Sequence, residues 1–465
     1  MMAQTMTETP SKAHLEKDLV VLERGRKTGD RSSKGVVVAE IGKHIQFVPD
    51  ILDTFDVKGF AAKHYDLMVL AAAIEFADRR WKRPAAWLRN LHVTISVIDY
   101  DSWSRPEVQS TLRSAMNFLT GDNWRFTFVK ATNGSPIGSQ QIPLLFDQAK
   151  TFAIAYSNGL DSRAVSALSG SPEEALCIRV AGTKQRRMEG DSYFTQIPFK
   201  VKGFESRESS FRSRGFQFAA IATIASHLSN VARIVVPESG QGALGPALVP
   251  LYNIYTDYRN FPTFFRKIER FTRALLGCSI KFEQPRLWST KGETMAAFLA
   301  LPGKKQQHLV KTRSCWQTRR VVNADRRRQC GLCAACLLRR MSLFAAEVVE
   351  PQDTYVVADL SATEVGAALS NISADADRDI MIEYGSVGAR HLQHLADMAD
   401  LPDAALRPFA SQIAAATGEA YEQTVRNLRM MLMTHAKEWR SFMSAQGDES
   451  FLKSWMDGGR HDRFK

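Results

Sequence analysis

No apolar run in this chain reaches the roughly 18 residues that a membrane-spanning helix needs. The longest candidate, Leu67–Ala77, ends in charges and reads as a core helix. Met1–Asp30 is polar and charged, with no hydrophobic signal core. A cytoplasmic protein without a membrane partner is the expectation. Cysteine is scarce, with six in 465 residues, and four of them cluster as Cys315, Cys330, Cys333 and Cys336. That pattern excludes a disulfide scaffold and favours metal ligation. Cys177 and Cys278 stand alone in apolar surroundings and read as core residues. Acidic residues are nearly missing from one stretch. Between Lys304 and Arg340, eleven Lys or Arg face the single acid Asp325, a local charge of +10 within a chain of +12. Nucleic acid or an anion such as ATP would suit residues 304–340.

What is present is ordinary for a globular protein: 45% hydrophobic and 24% charged residues. The length suggests about three domains of about 150 residues. Residues 1–34 read as a flexible arm. Residues 35–150 read as an α+β N-terminal domain, with a hairpin at Gly35–Phe47, a helix over Phe60–Arg80, and strands at Leu91–Ile98 and Trp124–Val129. Residues 151–349 alternate short apolar strands (Phe152–Tyr156, Leu176–Ala181, Arg233–Pro237) with helices near Asp161–Leu168 and Gly215–Leu228. Buried apolar strands separated by helices imply a parallel sheet of the α/β class, with ligands at the carboxyl ends of its strands. Residues 350–465, rich in Ala, Leu, Met and acids at helical spacing, predict a helical C-terminal domain.

The first segment that carries chemistry follows the strand ending at Tyr156. In Ser157-Asn158-Gly159-Leu160-Asp161-Ser162, small residues let backbone N–H groups approach an anion, and a helix N-terminus adds its dipole. No Gly-Lys-Ser/Thr follows, so this is not a Walker loop. The plain alternative is a strand–turn–helix corner in which Asp161 caps a helix. The second segment is Cys315, then Cys330-x-x-Cys333-x-x-Cys336. Four thiolates suit a tetrahedral zinc with no open coordination position, hence a structural metal; an iron–sulfur cluster is the other candidate. Arg319, Arg320, Arg328 and Arg339 would offset the charge of the thiolates.

The two motifs in this order resemble the 7-cyano-7-deazaguanine synthases, the QueC family. Ser157–Ser162 resembles the PP-loop, usually Ser-Gly-Gly-x-Asp-Ser, with Asn158 in place of a glycine. Asn tolerates the left-handed backbone that such a turn would ask for. Cys315…Cys330-Gly331-x-Cys333-x-x-Cys336-x-x-Arg339 resembles the family's zinc site. Arg212-Ser213-Arg214-Gly215-Phe216, Glu238-Ser239-Gly240-Gln241-Gly242 and Ser289-Thr290-Lys291-Gly292-Glu293 are similar to its further motifs. The likeness spans roughly residues 150–345, and the layout with two flanking domains is similar to the QatC-type relatives of anti-phage defence operons.

The resemblance implies a PP-loop (HUP-like) fold and an enzyme that spends ATP and magnesium to adenylate 7-carboxy-7-deazaguanine and then forms an amide or nitrile. It implies ATP binding by Tyr156, Ser157, Asn158, Gly159, Leu160, Asp161 and Ser162. Asp161, Arg214 and Lys291 would be catalytic; Arg212, Arg214, Glu238, Gly240, Gln241 and Glu293 would bind substrate. Solvated surface cations are the alternative for Arg214 and Lys291; a purine edge, a magnesium ion or a plain loop site are open for Glu238. A protein partner from the same operon would offer the acceptor amine. Two other readings stay open: an RNA-modifying PP-loop enzyme, and an ATP-binding subunit that has lost turnover.

Overall fold

The computed structural model describes residues 16–25, 35–48, 59–132, 150–182, 192–203, 205, 207–250, 254–317, 322, 328–369 and 378–456. The expected flexible arm, residues 1–34, is corrected in part: Lys17–Leu22 is a strand paired on both sides within a sheet, while residues 1–15, residues 26–34 and the polar tail Asp457–Lys465 lie outside the described residues. Ten strands are described: β1 (Lys17–Leu22), β2 (Val37–Glu40), β3 (Ile45–Phe47), β4 (Asn90–Val97), β5 (Asn123–Lys130), β6 (Phe152–Ala155), β7 (Ala175–Ala181), β8 (Phe194–Val201), β9 (Arg233–Val235) and β10 (Lys281–Glu283). They form two sheets. One has the order β2-β1-β4-β5 and the other β10-β9-β6-β7-β8-β3.

The first sheet is parallel throughout, which corrects the α+β expectation for residues 35–150. Its strands are joined by crossovers, and Pro106–Thr120 supplies the helix between β4 and β5. The expected hairpin at Gly35–Phe47 is not formed. After β2 the chain turns at Gly42, whose φ of +90° suits glycine. β3 then leaves for the other sheet, pairing antiparallel with β8. Alternation marks a half-buried strand without naming its partner.

In the second sheet, strands β6 to β10 are parallel. The chain starts in the middle at β6, runs outward through β7 and β8, and returns to the other side with β9 and β10. The carboxyl ends of β6 and β9 therefore flank a topological switch point, the usual ligand position of such sheets. β6 suits its central place: Phe152, Ala153 and Ile154 are fully buried.

The helix Ala62–Arg80 is buried on nearly every side, from His64 to Asp78. It lies with Arg214–Leu228 and Pro262–Leu276 in one continuous apolar core that also takes in residues of both sheets. On the opposite face of the second sheet, Leu160–Ser169 packs with Lys291–Leu299 through Leu160, Ala164, Met295 and Phe298. The C-terminal region is helical as expected: Arg378–Asp397, Asp403–Thr417, Tyr421–Gln446 and Phe451–Met456. Among the described residues, no helix is long and apolar enough to cross a membrane.

Candidate active site and metal centre

The turn after β6 gives way to a helix that begins at Leu160. Its N-cap, Gly159, caps no first-turn amide with a side chain, so these donors are open to an anion. Ser157 Oγ and Ser162 Oγ lie 2.8 Å apart, and Gly159 N donates to Ser157 Oγ at 3.1 Å. The turn is not left-handed at Asn158. Among the described non-glycine residues, positive φ occurs at Trp87, Phe211, Asn230 and Glu347. Asn in place of glycine therefore carries no backbone strain here. The Asn158 carbonyl accepts from Arg313 N at 2.8 Å, while its side-chain Oδ1 is buried with no hydrogen-bond partner. A buried amide oxygen without a donor is costly, and it lies in the loop that would receive a ligand. Tyr156 is buried, and its hydroxyl accepts from Ser192 N at 3.1 Å.

Asp161 faces two other chain segments. One carboxylate oxygen pairs with Lys291 Nζ; the other lies 3.1 Å from Ser239 Oγ, in the loop after β9. Lys291 Nζ is also 3.6 Å from Glu238 Oε1. The three motifs thus converge at the switch point as one buried cation between two acids. Burial opposes the charge on Lys291, but Asp161 and Glu238 together hold its pKa above the ordinary lysine value. Burial, reinforced by the Asp161 charge, pushes the Glu238 carboxyl up to about 7, against the pull of Lys291. Asn260 Nδ2 donates to Glu238 Oε2 at 3.1 Å. A Cβ on Gly242 would lie 2.2 Å from Glu238 Oε1, so the carboxyl fits only over glycine.

The other expected substrate residues are engaged by the protein itself. Arg212 pairs with Asp257 at 2.9 Å and donates to Tyr255 O at 3.0 Å. Arg214 is exposed, with its guanidinium 5.2 Å from the centre of the Phe218 ring. Between them, Ser213 N donates at 2.9 Å to Asp78, a carboxylate buried with Arg83, Arg89 and Asp122 in a four-membered ion cluster. Glu293 closes a capping box with Thr290. Gly240 lies too close to Leu287 O, 2.5 Å from where a Cβ would be, for any larger residue. Gln241 accepts from Lys291 N at 2.5 Å through Oε1. Its amide nitrogen reaches His435 Nδ1 at 3.1 Å and Glu438 Oε2 at 3.3 Å.

Sequence reasoning missed His435, Glu438 and Asn260, because nothing local marks a residue that arrives from a distant element. It also passed over the capping box, which the Thr290-x-x-Glu293 spacing announces.

The four cysteine sulfurs lie within 4.8 Å of one another. Cys330 Sγ and Cys336 Sγ are 3.7 Å apart, close to the edge of about 3.8 Å expected for a tetrahedron with zinc–sulfur bonds of about 2.3 Å. Backbone N–H groups of Leu332 and Cys333 point at Cys330 Sγ at 3.4 and 3.2 Å, and Cys330 N donates to Cys315 Sγ at 3.3 Å. Such donors stabilise thiolates. The tight turn needs Gly331, at φ +89°, where a Cβ would lie 2.5 Å from the Val357 carbonyl oxygen. The cluster can hold a metal such as zinc.

Arg339 does not serve the thiolates as expected. It is fully buried and bonds Glu350, the Tyr355 hydroxyl, Thr312 and the carbonyls of Leu309 and Val310. Arg319, Arg320, Arg326 and Arg327 of the basic stretch lie outside the described residues. The cysteine cluster and the turn after β6 are neighbours along one short path. Cys315 N and Ser314 N both donate to Gln329 Oε1, and Arg313 N donates to Asn158 O. No family model matches this chain and no curated protein matches it, so the chemistry of the site rests on its own residues.

Proposed function

We propose that this chain is an ATP-dependent enzyme that adenylates a carboxylic acid and passes the acyl group to an amine, with 7-carboxy-7-deazaguanine or a similar deazapurine acid as substrate. The observation that carries the reading is the meeting of Asp161, Lys291 and Glu238 beside an uncapped helix N-terminus at the switch point of a parallel sheet. The acid and the fold family come from the resemblance of the three motifs to the deazaguanine synthases.

A carboxylate is a poor acyl donor because an amine would have to expel oxide. Attack of its oxygen on the α-phosphorus of ATP releases pyrophosphate and leaves an acyl adenylate. An amine then attacks the acyl carbon, AMP departs, and an amide remains. Open amides at Leu160–Ser162 and the hydroxyls of Ser157 and Ser162 suit the phosphates. Lys291 is the cation for charge that builds on the α-phosphate. Glu238, with a carboxyl held near neutrality, suits the proton that the attacking amine gives up. Asp161 fixes Lys291, and magnesium, if bound through Asp161 or Glu238, would neutralise the phosphates. A zinc in the cysteine knuckle would be structural and stand outside these steps.

The test is product analysis with ATP and 7-carboxy-7-deazaguanine. AMP and pyrophosphate are expected, and Asp161→Ala or Ser157→Ala should abolish them with the fold intact by circular dichroism. Release of ADP and orthophosphate would sink the assignment. ATP binding without any AMP would instead establish the non-catalytic subunit reading, for which the Asn158 position is the specific reason.

A further inference from the structure

Two residues one turn apart on the helix Tyr421–Gln446, His435 and Glu438, enter the back of the site. Glu438 accepts from the Thr290 hydroxyl at 2.6 Å and from Gln241 Nε2 at 3.3 Å. His435 is fully buried; its Nε2 lies 2.9 Å from the Leu392 carbonyl, which leaves Nδ1 as the acceptor for Gln241. Thr290 is the N-cap of the helix that begins at Lys291, and Gln241 holds the Lys291 amide. Thr290 and Gln241 are thus both bonded to one carboxylate. The loops are shaped for it. A Cβ on Gly292 would lie 2.4 Å from Glu438 Oε1, and one on Gly240 would lie 3.0 Å from Met431 of the same helix.

We infer that Glu438 is a positioning residue: it clamps Thr290 and Gln241 so that the Lys291 ammonium is held against Asp161. The catalytic consequence rests on the adenylation reading above, whereas the clamp itself does not. An apolar residue would fill the space without setting the direction of either partner. Burial pushes the Glu438 carboxyl up to about 7 and so disfavours its charge, against the hydrogen bond from Thr290. The C-terminal helical region is in this view part of the active site, not an appendage.

The test uses the full chain and needs no turnover. Lysines are acylated with a limiting amine-reactive ester, and Lys291 is quantified by peptide mass spectrometry relative to the exposed Lys305. In Glu438→Ala the relative rate at Lys291 should rise about ten-fold, the effect of lowering an ammonium pKa by about one unit. Glu438→Gln keeps the Thr290 bond but sets an amide N–H against the Gln241 amide, so a smaller rise is expected; this isosteric variant is read alone if Glu438→Ala fails to fold. In the same proteins AMP formation should fall about ten- to a hundred-fold with half-saturating ATP unchanged. A labelling rate equal to wild type overturns the clamp. Faster labelling with an undiminished AMP rate overturns the positioning role. A wild-type chain that makes no AMP counts against adenylation only, and the labelling still decides the clamp.

Discussion

Lys291 and Glu238 share one buried corner on unequal terms. Lys291 keeps its charge because two acids face it, and Glu238 loses part of its own because burial and Asp161 outweigh the lysine. This has a sign that can be checked. If the Glu238 carboxylate takes the amine proton, the rate of amide formation should climb as pH rises through about 7. Glu238→Gln should remove that inflection and leave only the titration of the acceptor amine. An identical profile in the variant would exclude the role. For stability the same shift runs the other way. A carboxyl with a raised folded pKa binds more protons in the native state between about 4.5 and 7, so its contribution is complete below that window and is lost as pH rises through it. Asn158 gives a different lesson at this scale. The substitution of a glycine invites an argument about left-handed backbone, yet the backbone there is ordinary. What sets Asn158 apart is an amide oxygen buried without a donor.

Among elements, the cysteine knuckle is the one with the widest reach. Cys330, Cys333 and Cys336 lie in the same apolar cluster as Trp439, Leu392 and Leu452 of the C-terminal helices. Gly388 of the helix Arg378–Asp397 lets that helix pack on Ala334, 2.8 Å from where a Cβ would be. Cys333→Ser should therefore release the metal and make residues 314–340 sensitive to protease, since structural zinc contributes on the order of 10 kcal/mol of apparent folding free energy. ATP binding should weaken in the same variant, because Arg313 connects the knuckle to Asn158. Elemental analysis, limited proteolysis and nucleotide titration check the three effects; a metal-free protein that resists protease and binds ATP normally would refute the linkage.

The strand–turn–helix after Phe152 and the cysteine cluster were legible in the sequence because each is local: a buried strand followed by small residues, and four thiols at ligand spacing. β6, β7 and β9 announced themselves as short apolar runs. β8 did not, since Phe194–Val201 mixes Thr, Gln, Pro and Lys into a strand that is only partly buried. The parallel pairing of the first sheet was hidden because period-two alternation is the same for either direction. Glu438 was invisible for a plainer reason, a separation of 148 positions along the chain from Thr290.

At the scale of the whole molecule, the proposed acyl transfer would leave the flanks without a purpose if its product were only a small nitrile. The N-terminal sheet shares one core with the second sheet, and the C-terminal helices reach the candidate site. Such surroundings suit an acceptor that is itself a macromolecule. A protein N-terminus is the favoured amine, because its pKa of about 7.7–8.0 leaves a neutral fraction at pH 7 that lysine, at about 10.4, does not have. Intact-mass measurement of operon partners co-expressed with this chain should show an added deazaguanine acyl group, absent when Asp161→Ala replaces the wild type. Conversion of the acid to free nitrile with ammonium alone, and no partner gaining mass, would leave the plain synthase.

The short strand β3 carries a consequence for anyone who divides this protein. Its three residues precede the rest of their sheet by over a hundred positions, yet they cover the outer side of β8 in antiparallel register, Ile45 opposite Val201 and Phe47 opposite Phe199. Cutting the chain before residue 150 would strip that cover and leave β8 as a bare edge, carrying its own apolar Ile197 and Phe199. An uncovered edge of that kind recruits strands from other molecules. The isolated remainder, from residue 150 onward, would tend to aggregate whatever its chemistry, and the N-terminal region is in that sense its solubility factor.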